Sequence, residues 1–235
     1  DYHLDGLRVD STIYMRNTAG KNDDPTNDLP DAWSLFQEIN TLAHKINPNA
    51  MMVAEDSSSN EYITKPISEG GAGFDAQWGS SFPHAVRSRF GMEDNRYSDG
   101  LDNELRRYYN GQAFQKVVFS DSHDTAANGG ERLNEATTPG NAGSVFARQR
   151  TLVAHALSLT APGIPMILQG EEFMQQGSFN DWQMLDWNKT VQFAGIVLAF
   201  QHLINLRKDA YGNTSGLSSQ SINVFHQALA ACTSP

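Results

Sequence analysis

Cysteine, basic side chains and long apolar runs are all scarce in this sequence. The only cysteine among the 235 residues is Cys232, so no disulfide can form within the chain. This scarcity favours a reducing compartment, and we expect a cytoplasmic protein. Lysine and arginine number 17 against 27 acidic residues, and the net charge of −10 disfavours partners such as nucleic acids or anionic membranes. No apolar run reaches the roughly 18 residues that a membrane-spanning helix needs.

Signatures of the common cofactor and metal sites are missing as well. The sequence contains no HExxH or CxxC motif, no P-loop and no dinucleotide-binding glycine fingerprint. The glycine-rich run at 70–73 precedes a predicted strand, which indicates a turn rather than a phosphate-binding loop. We expect no cofactor and no resident metal. A carboxylate site for magnesium or calcium stays open as a minor alternative, with the possible ligands Asp5, Asp10, Glu55, Asp56 and Asp124.

Short apolar runs alternate with helical patterns along most of the chain. Strands are predicted at residues 4–9, 51–54, 74–78, 117–119 and 164–168. Helices are predicted at residues 31–46, 83–90, 99–109, 145–159 and 193–208. Strands that are separated by helices form parallel β/α units, so an α/β barrel or an open parallel sheet is expected. A further alternating segment at 221–226 predicts the start of a separate β domain.

Charged residues follow the predicted strands, at the edge where a β/α barrel builds its active site. Because side chains alternate along a strand, Arg8 and Asp10 share one face, opposite their apolar neighbours. Glu55 follows the second strand, and the pair His123-Asp124 follows the fourth. Two carboxyl groups that converge at such an edge can cleave a glycosidic bond, one as nucleophile and the other as acid and base. The alternative for Arg8 and Asp10 is an ordinary structural ion pair.

Three short runs, DGLRVD at 5–10, AED at 54–56 and SHD at 122–124, together resemble three conserved regions of the alpha-amylase superfamily, glycoside hydrolase family 13. The likeness continues through residues 73–78, 161–166 and 169–173 and to the last predicted helix. It therefore covers nearly the whole chain. The resemblance implies a (β/α)8 TIM barrel of which strands 4 to 8 are present.

The resemblance also implies domains and residue roles. Residues 1–212 would be the C-terminal part of the catalytic barrel, and residues 213–235 a linker and the start of a C-terminal all-β domain. Asp10 would be the nucleophile, Glu55 the acid/base and Asp124 the stabiliser of the transition state. The residues predicted to bind substrate are Arg8, His123, Trp78 and Tyr14.

The activity that the resemblance implies is retaining cleavage and transfer of α-1,4-glucans such as starch or glycogen. Residues 11–15 stand where calcium-dependent amylases of the family commonly have Lys-His, and this difference favours a branching-enzyme-like activity. A hydrolysing alpha-amylase is the alternative within the family. The alternative of another class is a truncated, catalytically incomplete glucan-binding remnant, because five of eight strands cannot close a barrel. The expected partner is an α-glucan, and we expect the intact protein to carry the N-terminal half of the barrel.

Overall fold

The molecule is built on one parallel sheet, seen in a computed structural model that describes residues 4–22, 25–91 and 98–222. Its strands are β1 (Gly6–Val9), β2 (Met51–Ala54), β3 (Ala76–Trp78), β4 (Lys116–Val118) and β5 (Ile164–Pro165). They pair in chain order, with Arg8 opposite Val53 and Trp78 opposite Val117. Pairing of consecutive parallel strands is the winding of a β/α barrel, whereas the strand order of a doubly wound sheet reverses. The predicted α/β class is confirmed.

Helices connect the strands and cover one face of the sheet. In the described part of the chain they are α1 (Thr12–Arg16), α2 (Pro30–Ile46), α3 (Ser81–Phe90), α4 (Ser98–Arg106), α5 (His123–Ala126), α6 (Leu133–Thr137), α7 (Val145–Thr160), α8 (Lys189–Gln192) and α9 (Ala194–Arg207). A proline begins α2 and Asp31 lies in its first turn, where the helix dipole favours a negative charge. The side chain of Ser144 caps α7 by accepting a hydrogen bond from Ala147 N at 3.1 Å. None of these described helices is both long and apolar enough to cross a membrane.

The five strands and five long helices lie where the sequence predicts them, with ends that differ by at most three residues. β5 is shorter than the predicted strand at 164–168: its pairing with β4 covers Ile164 and Pro165, and Met166 N donates a further bond to Val118 O just beyond its end. The strand predicted at 221–226 is not seen at Ser221 and Ile222, and its remaining residues lie outside the described part.

The two faces of the sheet carry different side chains. On the outer face, Met52 and Ala54 of β2 pack against Phe36 of α2, and Val118 of β4 packs against α3 and α7. The inner face holds an apolar row that consists of Val53, Ala76, Trp78, Val117 and Ile164. Because Arg8 pairs with Val53, and paired residues point to the same face, Arg8 lies on the inner face as well.

Apolar side chains are exposed on the β1 side of the sheet. Leu7 of β1 is 48% exposed, and Leu42 and Ile46 of α2, which lies between β1 and β2 in the chain, are exposed as well. In the described residues β1 pairs only with β2, so its other edge offers unpaired backbone groups. This side of the sheet is therefore suited to contact further polypeptide.

Candidate active site

One guanidinium group holds two carboxylates at the end of β1 and β2. Arg8 Nη1 lies 2.7 Å from Asp10 Oδ1, and Arg8 Nη2 lies 2.8 Å from Glu55 Oε2. The strand register explains why Asp10 and Glu55 lie close together. Arg8 is opposite Val53, and each carboxylate follows two residues later on the same face. The structure thus brings Asp10 and Glu55 together with Arg8 between them.

The two carboxylates have different surroundings. The side chain of Asp10 is 71% exposed, whereas that of Glu55 is 16% exposed. Ser11 N donates a second hydrogen bond to Glu55 Oε2 at 2.8 Å. Ser11 reaches this position with a left-handed backbone, φ 46°, directly before α1. One carboxylate is open to a ligand, and the other is held from two sides.

Aromatic rings extend this group toward the end of β4. The guanidinium carbon of Arg8 lies 4.3 Å from the centroid of the Trp78 ring, a cation–π contact. His123 is next, with its ring centroid 6.1 Å from that of Trp78 and 6.0 Å from that of Phe179. Trp78 is only 7% exposed, so its ring supports Arg8 from below and does not offer a free face for stacking. Five of the predicted site residues therefore form a continuous chain of contacts: Asp10, Glu55, Arg8, Trp78 and His123.

The sixth predicted residue, Asp124, lies beside His123 on the short helix α5. His123 Nε2 is 3.4 Å from Asp124 Oδ1. α5 starts with a capping box: Ser122 Oγ accepts from Thr125 N at 3.4 Å, and Ser122 N donates to Thr125 Oγ1 at 2.8 Å. This local bonding fixes the turn that presents both His123 and Asp124.

Asp121 anchors this turn, and sequence reasoning did not identify it. Its side chain is buried, accepts a hydrogen bond from Leu133 N at 2.7 Å, forms an ion pair with Arg87 and lies 3.3 Å from Thr125 Oγ1. Burial raises the pKa of Asp121, and the Arg87 guanidinium opposes that shift. No short sequence pattern marks Asp121, because its partners Arg87 and Leu133 are 34 and 12 residues away along the chain.

A second buried polar group that the sequence did not reveal lies beneath Asp121. Ser120 Oγ donates to Glu171 Oε1 at 3.0 Å and lies 2.9 Å from His155 Nδ1. Burial lowers the pKa of His155 to about 3 and raises the pKa of Glu171 well above its ordinary value. Both groups therefore favour their neutral forms in the folded protein.

Tyr14 lies apart from the other predicted residues. It is on α1, is 73% exposed and packs over Gly20, where an added Cβ would come within 2.4 Å of the tyrosine ring. No described contact joins it to Arg8 or to either carboxylate. A role in substrate binding stays a prediction for this residue.

The structure gives no support to the alternative of a carboxylate metal site. Asp56 is fully buried against Arg16, with Arg16 Nε 2.8 Å from Asp56 Oδ2, and Glu55 is bound to Arg8. Within residues 4–22, 25–91 and 98–222, no three His, Cys, Asp or Glu side chains are grouped so that they could hold an ion.

Comparison with known proteins identifies the family. The family model described as "Alpha amylase, catalytic domain" matches residues 1–211 of the chain. The chain belongs to the alpha-amylase family. Curated relatives agree: a 1,4-alpha-glucan branching enzyme GlgB of Corynebacterium jeikeium is 27% identical over 236 residues, 98% of this chain and 31% of that protein. GlgB 1 of Rhizobium johnstonii is 31% identical over 195 residues, 80% of this chain and 26% of that protein.

Solved structures share the fold of this alpha-amylase family chain. The type III pullulan hydrolase of Thermococcus kodakarensis superposes with a TM-score of 0.61 at 20% identity, over 92% of this chain and 34% of that one. At this identity the likeness shows the fold alone. The chain spans about a third or less of the length of the curated relatives that it matches.

Proposed function

We propose that this protein is a retaining enzyme of α-1,4-glucans with a branching-enzyme-like activity, in which Asp10 is the nucleophile and Glu55 the acid and base. The observation that carries the proposal is the Arg8 guanidinium, which binds both carboxylates at the ends of two adjacent strands. A retaining mechanism needs two carboxyl groups about 5 Å apart. The relatives named as 1,4-alpha-glucan branching enzymes support the choice of substrate and reaction.

In the first step Asp10 attacks the anomeric carbon of a bound glucan. The bond from that carbon to the glycosidic oxygen breaks while the acid form of Glu55 gives its proton to the leaving oxygen. Both contacts of the Glu55 carboxylate within the described residues involve Oε2, so we assign the transferred proton to Oε1. The exposure of Asp10 leaves it open to approach by the sugar.

In the second step the Glu55 carboxylate accepts a proton from an incoming hydroxyl group. That oxygen attacks the anomeric carbon, and the bond to Asp10 breaks, so the original configuration is restored. If the hydroxyl belongs to another glucan chain, a new linkage forms, as in branching. If it belongs to water, the product is a shortened chain with a new reducing end.

The surrounding residues have supporting roles in this proposal. Arg8 forms the ion pair that orients the Asp10 carboxylate, and Trp78 holds the Arg8 guanidinium in place. Asp124 supplies negative charge opposite the positively charged, oxocarbenium-like transition state. His123 donates a hydrogen bond to the sugar, and Tyr14 contacts the glucan farther out on α1.

Domain division and location belong to the same proposal. We assign residues 1–212 to the catalytic barrel, which the family match to residues 1–211 supports, and residues 213–235 to a linker and the start of a β domain. A cytoplasmic location rests on the scarcity of cysteine in the sequence.

The test is the activity of the full-length protein on amylose, compared with that of its Asp10→Asn variant. We expect the variant to lose activity by on the order of 10⁴-fold or more, as is typical when a catalytic nucleophile is removed. Asp31→Asn, which neutralises an exposed carboxylate in the first turn of α2, is the control and should keep full activity. Reducing ends and α-1,6 branch points are measured in the same samples.

The products separate the alternatives. Branch points without a matching rise in reducing ends would support the branching activity, whereas reducing ends alone would indicate a hydrolysing amylase. Full activity of Asp10→Asn would refute the proposed mechanism. Binding of amylose without any turnover by the unaltered protein would identify it as a glucan-binding remnant.

A further inference from the structure

A fully buried ion pair lies directly behind the two carboxylates. Arg16 of α1 and Asp56, which follows Glu55, both have side chains with no exposure to solvent. The contact is bidentate, with Arg16 Nε 2.8 Å from Asp56 Oδ2 and Arg16 Nη2 3.1 Å from Asp56 Oδ1. Burial of two charges carries a large desolvation cost, so such a pair is weak evidence for stability and suggests another role.

Polar neighbours saturate this pair. Arg16 also donates to Asp28 Oδ1 at 3.2 Å, to Asn22 Oδ1 at 3.1 Å and to Ser58 Oγ at 2.9 Å. The ring of Trp33 lies 5.5 Å from the guanidinium carbon of Arg16. A buried polar network in which the members are satisfied is rigid, because any displacement leaves a charge without a partner.

The network connects to Glu55 through the residues that follow Asp10. Thr12 N donates to Glu55 O at 2.9 Å, and Thr12 Oγ1 lies 2.9 Å from Glu55 O and 3.1 Å from Asp56 Oδ2. The preceding Ser11 N donates to the Glu55 carboxylate itself. The ion pair therefore fixes the segment after β1 to the segment after β2, at the point where each segment carries a carboxylate.

We propose that Arg16 and Asp56 are positioning residues for proton transfer by Glu55. Neither faces the sugar; they hold the turn at Ser11 and Thr12 so that Glu55 stays at the correct distance from Asp10. Without the Asp56 charge, Arg16 would be a buried cation without its principal partner, and α1 would shift to solvate it. That shift would move the Ser11 and Thr12 donors away from Glu55. This inference rests on the proposed role of Glu55.

Two substrates with different leaving groups test the inference in the full-length protein. Amylose needs a proton on its leaving oxygen, whereas an α-maltosyl fluoride loses fluoride without help from an acid. We expect Asp56→Asn to lower kcat/KM for amylose roughly 10- to 100-fold, part of the range that general acid–base catalysis contributes. For the fluoride we expect a change below about threefold, because Asp10 still attacks.

The two kcat/KM values of Asp56→Asn are compared with those of two reference variants and one matched control. Glu55→Gln should show the same contrast between substrates but a larger loss on amylose, and Asp10→Asn should lose both activities. Arg207→Met removes a half-buried arginine at the opposite end of the sheet, where it donates to Ala161 O at 2.8 Å and to Gly163 O. Its two kcat/KM values should stay in the wild-type ratio.

Equal losses on both substrates in Asp56→Asn, or the same contrast in Arg207→Met, would overturn the positioning role. If Asp56→Asn does not fold by circular dichroism, Thr12→Val replaces it, since that variant removes only the hydroxyl between Glu55 O and Asp56. An unchanged substrate ratio in Thr12→Val would then overturn the inference. Retained amylose activity in Glu55→Gln would instead refute the proposed function itself, so the two failures are distinguishable.

Discussion

At the scale of single residues, Arg8 connects the site, because it contacts Asp10, Glu55 and Trp78. Its two terminal nitrogens contact different carboxylates, and its planar group lies on the Trp78 ring. A lysine could not do all three, because an ammonium group is a point charge without the flat fork that bridges two acceptors and stacks on a ring. The separation of Asp10 from Glu55 therefore depends on what holds Arg8.

The contact between Arg8 and Trp78 leads to a prediction about catalysis. Trp78→Leu removes the ring that orients the guanidinium, a contact worth about 0.5 to 2 kcal/mol. We expect kcat on amylose to fall about tenfold, which corresponds to roughly 1.4 kcal/mol in the activation barrier. KM should change little, because the buried ring of Trp78 has no free face toward the sugar.

Trp78→Phe is the matched variant, since it keeps an aromatic face under Arg8 and should retain most of kcat. Steady-state kinetics of both variants, with thermal unfolding of each, provide the measurement. A rise in KM with unchanged kcat in Trp78→Leu would contradict this account and would indicate that Trp78 contacts the sugar directly.

The positions of Arg8 and Asp10 at the strand end were predictable from the sequence, but the buried ion pairs that hold the neighbouring turns were not. The period of two along a strand is a local property, so Arg8 and Asp10 could be assigned to one face from the sequence alone. The partners of Arg16 and Asp121 are different: Arg16 meets Asp56 across 40 residues and Asp121 meets Arg87 across 34. Such contacts depend on how two turns pack, and no short pattern in the sequence specifies that packing.

At the scale of secondary structure, one short helix presents two of the predicted site residues, whereas the long helices form the core. α5 has four residues and presents His123 and Asp124, whereas α2 and α7 bury apolar side chains against the sheet. Helices as short as α1, α5 and α6 are not stable by propensity and show no periodicity, so the sequence did not predict them. Their formation depends on caps and on buried side chains from other segments.

The cap of α5 allows a second prediction. Thr125→Val keeps the shape of the side chain but removes the hydroxyl that accepts from Ser122 N and lies within hydrogen-bond distance of Asp121 Oδ1. We expect a loss of about 1 to 2 kcal/mol in the free energy of unfolding, as for other helix caps. We also expect kcat to fall about tenfold, or roughly 1.4 kcal/mol in the barrier, because Asp124 is no longer held in one orientation.

A matched control for this substitution lies on α6. Thr137 is buried, and its hydroxyl donates to Asn134 O at 3.1 Å and lies 3.2 Å from Thr151 Oγ1. Thr137→Val should lower the stability by a similar amount, measured by urea unfolding, and leave kcat unchanged. Equal effects of the two variants on kcat would show that the loss is one of general stability and not of α5 geometry.

At the scale of the whole molecule, we expect the free energy of unfolding to depend on pH through two buried side chains, His155 and Glu171. Burial favours the neutral forms of His155 in α7 and of Glu171 after β5, because it lowers the pKa of the first and raises the pKa of the second, and both groups contact Ser120. Their effects on stability have opposite signs. Because neither group touches the proposed catalytic carboxylates, the effect can be measured by unfolding alone.

The sign for each group follows from which state binds the proton. Unfolded His155 becomes protonated below about pH 6.5, whereas the folded form resists protonation until pH falls to about 3, so stability from this group is lost as pH falls across that interval. Folded Glu171 keeps its proton above pH 4.5, where the unfolded carboxyl has already lost it. Its contribution is therefore lost as pH rises, and Asp121 has the same sign because burial raises its pKa too.

Between pH 4.5 and 6.5 the slope of His155 opposes those of Glu171 and Asp121 in the unaltered protein, and Glu171→Gln removes one of the two opposing contributions. We expect the free energy of unfolding of that variant to rise with pH across this interval more steeply than that of the parent, by up to about 1.4 kcal/mol per pH unit. In His155→Gln the stability should instead fall as pH rises above 4.5. Urea unfolding at half-unit steps from pH 4 to 8 measures both. Identical profiles of unfolding free energy against pH for Glu171→Gln and the parent would mean that Glu171 is ionised in the folded protein. Between pH 4.5 and 6.5, a carboxyl changes the slope of that profile only if it stays protonated in the folded state and ionises on unfolding.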